Sequence, residues 1–311
     1  MRLGVLDIGS NTVHLLVADA HAGGRPLATT SEKSVLRLMR YLDEDGAITK
    51  TGVQAILGAV RTAKRVAHDE GVEELLATAT SAVREAANGP DVIARIEEIL
   101  EQPLQVLGGA DEARLTFLAV RRWFGWSAGR IMLFDIGGGS LEIAGGSEEL
   151  PQLAESVQLG AGRMTLQFLP KDPPGEAPLA RLREHAGEVL APVATRFRRL
   201  PRPDHVVGSS KTIRSLARLA GYRRPGWSGM ERWMLPRESL GSWIPVLARI
   251  PAKARQELPG ITADRTFQIT AGAVVLHEAM TAMGVEELEI SPWALREGVM
   301  LRYIEQLSVP A

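Results

Sequence analysis

The feature that most constrains this chain is a turn it contains twice. Leu3 to Leu6 is a short apolar run, Asp7-Ile8-Gly9-Ser10-Asn11-Thr12 has turn chemistry, and Val13 to Ala18 is apolar again. Further on, Arg130-Ile131-Met132-Leu133-Phe134 leads into Asp135-Ile136-Gly137-Gly138-Gly139-Ser140 and out through Leu141 to Ala144. Each copy reads as strand, tight turn, returning strand. Two unrelated hairpins that share Asp and Gly would explain one copy well enough. The same Asp-Ile-Gly triplet between the same flanks, twice, reads as an internal duplication. Glycine there lets the backbone take positive φ and lets a ligand approach the peptide N–H groups. Successive N–H groups form a nest for phosphate oxygens. An aspartate at the end of the preceding strand is a hard oxygen ligand for Mg²⁺. Two such turns facing each other would clamp a phosphate chain, with Asp7 and Asp135 near one metal–phosphate cluster. Neither turn is a Walker loop, since the chain has no G-x-x-x-x-G-K-[ST].

The remaining pattern alternates strands and helices, which predicts an α/β fold. Thr49 or Thr51 is placed to cap a helix running to about His68, with Val53, Ile56, Leu57, Val60 and Ala63 on one apolar face. Leu75 to Ala79 reads as a strand, Thr80 to Ala87 and Asp91 to Leu100 as helices, and Leu104 to Leu107 as a short strand. Gly108-Gly109 precedes a helix from about Ala110 to Phe124. Pro170 to Pro178 reads as a surface loop. Leu179 to Leu200 has helical pattern, with Pro192 expected to kink or split it. Asp204 to Gly208 predicts a strand that ends in Gly208-Ser209-Ser210-Lys211-Thr212 and enters a helix, Ile213 to Leu219. Thr266 to Met283 and Trp293 to Leu307 read as helices on either side of a strand, Leu288 to Ser291.

Composition narrows the function classes. A length of 311 residues suits two domains. The net charge of −1 gives no global field to recruit nucleic acid or a membrane, so a polyanionic substrate needs a local basic site. The absence of cysteine excludes disulfides, thiolate metal sites and cysteine nucleophiles. The N-terminus reaches Asp7 too soon for a signal-peptide core, and no apolar run approaches the roughly 20 residues of a membrane span. The cytoplasm is therefore the expected location. The six histidines show no metal-ligand spacing. Trp123, Trp126, Trp227, Trp233, Trp243 and Trp293 suit core or interface anchors better than stacking platforms.

Together, Asp7-Ile8-Gly9-Ser10-Asn11-Thr12, Asp135-Ile136-Gly137-Gly138-Gly139-Ser140 and Leu295-Arg296-Glu297-Gly298 resemble the exopolyphosphatase/guanosine pentaphosphate phosphohydrolase family (Ppx/GppA). Ala79-Thr80-Ser81-Ala82-Val83-Arg84 and Asp111-Glu112-Ala113-Arg114-Leu115 are similar to two further blocks of it. The resemblance runs over nearly the whole chain. It implies the superfamily of sugar kinases, actin and heat-shock chaperones: two actin-like (ribonuclease H-like) domains, each a mixed five-stranded sheet flanked by helices, with the active cleft between them. Domains of residues 1–115 and 116–311 are expected, the last helix packing back on the first. The apolar, tryptophan-bearing second domain is a candidate surface for a homodimer.

The resemblance also implies roles. Glu112 matches the catalytic glutamate that acts as general base on the attacking water, although a glutamate early in a helix is also explained by the macrodipole. Asp111 departs from the glutamate common in relatives. Arg84 matches a phosphate-contacting arginine, and Glu142 an acidic residue near metal and water. Metal ligation falls to Asp7, Asp135 and Glu142, with Mg²⁺, or Mn²⁺ in its place. Phosphate contacts fall to Gly9, Ser10, Asn11, Thr12, Gly137, Gly138, Gly139 and Ser140. Arg37 is a weaker candidate, and Ser209 and Lys211 reach a more distant phosphate unless their loop is merely a helix cap. The arginines between Arg196 and Arg224 form a basic stretch that either tracks a phosphate chain or is a solvated surface.

The function implied is hydrolysis of terminal phosphate from inorganic polyphosphate, with short chains favoured because the extra C-terminal domains of longer relatives are missing. Hydrolysis of guanosine pentaphosphate is the alternative within the family. A sugar or acetate kinase would need an acceptor-binding insertion and an aspartate base. A non-enzymatic polyphosphate or alarmone sensor would have lost Glu112, Asp7 or Asp135, and all three are present.

Overall fold

The computed structural model describes residues 1–21, 24, 26–225 and 231–308. The chain divides into two compact units: Met1–Ala119 together with the segment from Leu295 onward, and Val120–Ala294.

In the first unit the chain runs β1 (Arg2–Ile8), β2 (Thr12–Asp19), β3 (Leu27–Val35), a single 3-10 turn (Leu38–Tyr41), α1 (Lys50–Asp69), β4 (Glu74–Ala79), α2 (Ser81–Arg84), α3 (Gly89–Leu100), β5 (Gln105–Val106) and α4 (Gly109–Phe124). The strands form one mixed sheet in the order β3-β2-β1-β4-β5. β1 and β2 are antiparallel, while β4 lies parallel to β1 on the other side. The cap and face predicted for α1 are present. Thr49 accepts from the Gly52 N–H, and Val53, Ile56, Leu57, Val60 and Ala63 are buried against Leu6, Ile8, Val13 and Leu15 of the sheet. The predicted helix from Thr80 to Ala87 is shorter, a single turn ending at Arg84.

The second unit continues with β6 (Ile131–Ile136), β7 (Leu141–Gly146), β8 (Leu153–Val157), α5 (Ala161–Phe168), α6 (Glu176–Phe197), β9 (His205–Gly208), α7 (Lys211–Ala220), β10 (Tyr222–Pro225), β11 (Glu231–Pro236), α8 (Arg237–Arg249), α9 (Ala252–Arg255), α10 (Ile269–Ala282) and β12 (Glu287–Ile290). Its sheet has the order β10-β11-β12-β9-β6-β7-β8. Seven strands stand where five are expected. Read from β8 to β12, the arrangement repeats the first sheet from β3 to β5, so the duplication extends from the turns to the whole sheet. The surplus is the hairpin of β10 and β11, added antiparallel to β12.

Pro192 lies inside α6 without dividing it. A proline in a helix interior costs about 3 kcal/mol. Leu182, Ala186 and Leu190 on one side of it and Val193 and Phe197 on the other are all buried in the same core, which holds both halves on one axis. The loop predicted at Pro170 to Pro178 is shorter, because α6 already starts at Glu176. Asp172 in that loop pairs at 2.5 Å with Arg255, an arginine only 2% exposed.

The last helix, α11 (Leu295–Ser308), belongs to the first unit and buries Val299 and Met300 against Val5, Leu16 and Ala18. Its glycine is dictated by packing. A Cβ on Gly298 would stand 1.9 Å from the Leu115 carbonyl oxygen of α4. Backbone cannot yield as a flexible side chain can. Gly298→Ala should therefore lower the unfolding free energy by about 2 kcal/mol or more, read as a falling urea midpoint with an unchanged m-value.

Candidate active site

Both Asp-Ile-Gly turns close with the same bond. The Gly9 N–H donates to the Thr12 carbonyl at 2.9 Å, and the Gly137 N–H to the Ser140 carbonyl at 2.9 Å. Strand register matches too: Asp7 lies opposite His14, and Asp135 opposite Glu142.

A neighbouring segment ties down the carbonyls of each turn. In the first, the Ser10 carbonyl accepts from the Leu38 N–H (2.7 Å) and the Asn11 carbonyl from the N–H groups of Leu36 and Arg37 (2.8 and 2.9 Å). In the second, the carbonyls of Gly137, Gly138 and Gly139 accept from Ala161, Arg163 and Gly160 at the start of α5 (3.0, 2.9 and 3.2 Å). The Arg163 guanidinium adds a bond to the Gly139 carbonyl at 2.9 Å. A planar trans peptide points its N–H opposite its C=O. Securing the carbonyls on one side therefore turns the following N–H groups to the other. Among the described residues, the N–H groups of Ser10, Asn11, Gly138, Gly139 and Ser140 donate to no protein acceptor. Ser10, Gly138, Gly139 and Ser140 are buried, and buried donors without an acceptor are rare unless water or a ligand takes them. Successive free-facing amides of this kind are the geometry suited to an anion.

The glycines serve differently from the expectation. Neither Gly9 nor Gly137 takes a positive φ. A Cβ on Gly9 would sit 3.7 and 3.9 Å from the two Asp7 carboxylate oxygens, filling the space above that carboxylate. In the second unit a Cβ on Gly160 would collide with the Gly139 and Ser140 backbone at 2.2 to 2.4 Å. Close approach of backbone excludes a side chain at Gly160, whereas a Cβ on Gly9 or Gly137 would meet only ordinary contacts.

In the first unit, Ser10 Oγ lies 3.0 Å from Ser81 Oγ, which ties the turn to the start of α2. Arg84 ends that single turn and donates to Glu112 Oε1 at 2.7 Å, to Glu85 at 3.1 Å and to the Leu107 carbonyl. Glu112 stands in the first turn of α4, 7% exposed, while its neighbour Asp111 is exposed and pairs with Arg114 at 2.8 Å. The carboxylate at 112 thus faces inward at a positive helix terminus, oriented by a guanidinium.

The remaining candidates have partners of their own. Asp135 accepts a hydrogen bond from the buried Ser209 hydroxyl. Glu142, also buried, accepts from Ser156 at 2.9 Å. Ser210 caps α7 by accepting from the Ile213 N–H, and Lys211 pairs with both Asp264 oxygens at 3.1 and 2.9 Å. Arg37 comes after the first turn in the left-handed region, φ 58° and ψ 55°. The basic stretch is divided among α6, the segment that follows it, α7 and β10. Arg196 pairs with Glu155 at 2.7 Å, and Arg223 pairs with Glu231 at 2.7 Å and stacks over Trp233. Trp123 packs on Trp293 with ring centroids 5.6 Å apart, and Trp233 and Trp243 pack against the core. Trp227 lies outside the described residues.

Sequence reasoning does not single out Arg296 as a site residue. Its Nη1 lies 3.8 Å from Asp7 Oδ2. The Leu295-Arg296-Glu297-Gly298 block carries the signal, but spacing alone does not say which residue it meets.

A family model described as the Ppx/GppA phosphatase family matches residues 16–307. The chain belongs to the Ppx/GppA phosphatase family. It is 49% identical over 306 residues to exopolyphosphatase 1 of Mycobacterium tuberculosis, covering 98% of this chain and 89% of that protein. The crystal structure of an exopolyphosphatase from Cytophaga hutchinsonii superposes with a TM-score of 0.86 at 25% identity, covering 98% of each chain. The Aquifex aeolicus family member gives 0.80 at 24% identity over 100% of this chain and 99% of that one, a likeness of fold. Each unit of this Ppx/GppA chain carries the actin-like sheet that the resemblance implies.

A divalent cation fits Asp7. Its Oδ1 is buried with no hydrogen-bond partner, and Arg296 approaches the other oxygen only loosely. Burial raises the Asp7 pKa, Arg296 opposes that shift, and Glu297 adds to it. Among the described residues no three acidic or histidine side chains converge on one point. That is compatible with Mg²⁺, which usually takes one or two carboxylates and completes its shell with water and phosphate oxygens.

The sign of the shift gives a test. With a pKa raised by folding, the stability Asp7 contributes is complete below the ordinary aspartate range and is lost as pH rises through the raised value. In chelator, Asp7→Asn should remove that loss and flatten the melting temperature against pH. Added magnesium should raise the melting temperature of the parent and leave that of Asp7→Asn unchanged. Parallel profiles for the two proteins would refute the assignment.

Proposed function

We propose that this chain is an exopolyphosphatase, releasing orthophosphate from the end of an inorganic polyphosphate chain. The observation that carries the reading is a buried carboxylate, Glu112, fixed by Arg84 and linked through α2 to a turn whose amides have no protein acceptor. The likeness to exopolyphosphatase 1 supports the same reaction and substrate.

The chemistry asks little covalent work of the protein, since phosphoryl transfer depends on positioning and charge. The amides of Ser10 and Asn11, and separately those of Gly138, Gly139 and Ser140, bind phosphoryl oxygens. Glu112 takes a proton from water as the water oxygen bonds to the terminal phosphorus. The bridging P–O bond breaks, and the shortened chain leaves with the electron pair on its oxygen. Arg84 orients Glu112 and offsets charge on the transferred group. Asp7 would hold the cation, with Asp135 and Glu142 the acidic groups of the second turn. A bound magnesium or manganese ion supplies charge neutralisation at phosphate oxygens. The Asp135–Ser209 bond orients the carboxylate there, and Lys211, held by Asp264, reaches a phosphate only by sharing that carboxylate. A chain without cysteine suits a reducing compartment, and the cytoplasm is the proposed location.

Glu112→Gln keeps the side chain's shape and removes the base. It should lower kcat about 10² to 10⁴-fold with little change in KM, measured as phosphate released from polyphosphates of defined length. Guanosine pentaphosphate serves as the comparison substrate. Hydrolysis at the parent rate would disprove the role of Glu112.

A further inference from the structure

The last helix brings a cation to the first turn, and its packing fixes where that cation stands. Gly298 of α11 lies against the Leu115 carbonyl of α4, while Val299 and Met300 are buried against Val5 of β1 and Leu16 and Ala18 of β2. The start of α11 is thereby held beside β1, which carries Asp7 at its end. Arg296, the second residue of the helix, meets that aspartate.

The two side chains face each other without satisfying each other. Arg296 Nη1 stands 3.8 Å from Asp7 Oδ2, beyond hydrogen-bond reach. Among the described residues, Arg296 Nε and Asp7 Oδ1 are both buried with no hydrogen-bond partner. A guanidinium and a carboxylate can close into a bidentate pair that uses both oxygens. Here the pair stays open, so each partner keeps hydrogen-bonding capacity for a ligand. The space above the carboxylate is open as well, because Gly9 puts no side chain there.

Charge decides what enters. Within the first unit, Arg296 and Glu297 are the charged side chains that act on Asp7. A divalent cation would neutralise Asp7 and Glu297 alone, but Arg296 leaves the same group with one positive charge in excess. Such an excess is costly where the side chains are largely buried and solvent screens little. A phosphate anion removes it, and a guanidinium offers that anion paired donors.

We propose that Arg296 makes the divalent cation and the phosphoryl group bind as a pair. It opposes the cation alone, and its remaining donors bind phosphoryl oxygens once both have entered. The inference rests on the exopolyphosphatase reading, with the cation at Asp7, and its test is a binding measurement that needs no turnover.

Magnesium binding would be measured by calorimetry for the parent, Arg296→Gln and Arg296→Lys, alone and in saturating orthophosphate. Orthophosphate is the product of the proposed reaction and chelates free magnesium far more weakly than a polyphosphate does. It should tighten magnesium binding by the parent about tenfold, and magnesium should tighten orthophosphate binding by the same factor. Arg296→Gln should bind magnesium alone about fivefold more tightly than the parent and lose most of the coupling. Arg296→Lys keeps the charge and should stay near the parent in both respects. A merely structural arginine would instead leave both variants weaker alike.

A folded Arg296→Gln that holds magnesium no more tightly than the parent overturns the proposal. If that variant does not fold, a parent whose magnesium affinity is unmoved by orthophosphate overturns it. Either result beside phosphate release from polyphosphate leaves the hydrolase reading intact. Coupling that depends on Arg296 in a parent that releases no phosphate preserves the proposal and overturns that reading.

Discussion

Everything in this structure that bears on phosphate depends on how two hairpin turns dispose of their carbonyl groups. A peptide unit cannot aim its C=O and N–H the same way. The segment after β3 and the start of α5 each bind the carbonyls of one turn, and the amides are left facing the other side. The solutions differ in detail. One uses an irregular strap ending in a strained arginine, and the other uses a helix N-terminus pressed against the turn at Gly160. Among the described residues both leave buried donors without a protein acceptor, so backbone accounting alone, before any charged side chain is considered, suits each turn to an anion.

Side chains add orientation to that affinity. The single turn α2 links the first hairpin to the Arg84–Glu112 ion pair, with Ser81 touching Ser10 and Arg84 holding Glu112 three residues later. A single helical turn is too short to be stable on its own. Its burial at Ala82 and Val83 gives it a fixed geometry, and through it the turn and the glutamate share one frame. Arg296, arriving on the last helix, adds a loose countercharge to Asp7.

The parts legible in the sequence are those written in local chemistry. The two turns and the capped amphipathic helix α1 can be read from spacing, whereas Glu112 is singled out only by the resemblance, since a glutamate early in a helix is also explained by the macrodipole. The missed elements lack such a signature. β3 reads Leu-Ala-Thr-Thr-Ser-Glu-Lys-Ser-Val, a largely exposed terminal strand with no apolar alternation. β10 is Tyr-Arg-Arg-Pro, which composition suggests is solvated loop, and its strand character comes from pairing with β11. Pro192 is expected to interrupt α6, but burial on both sides of it prevails. The partners of Asp7, Asp135 and Glu142 lie far off in sequence, so tertiary placement alone reveals them.

The outermost strands have a consequence for how copies of this chain can meet. A bare strand edge is a template onto which another molecule can add its own backbone. Here β3 ends one sheet with Glu32 and Lys33 along it, and β10 ends the other with two arginines and a proline. At the opposite ends, β5 is only two residues long and β8 carries Glu155 clasped by Arg196. All four borders resist recruitment into a larger continuous sheet. Self-assembly is thereby steered toward helical faces, and the ribbon-like aggregation open to many α/β proteins is discouraged from the outset.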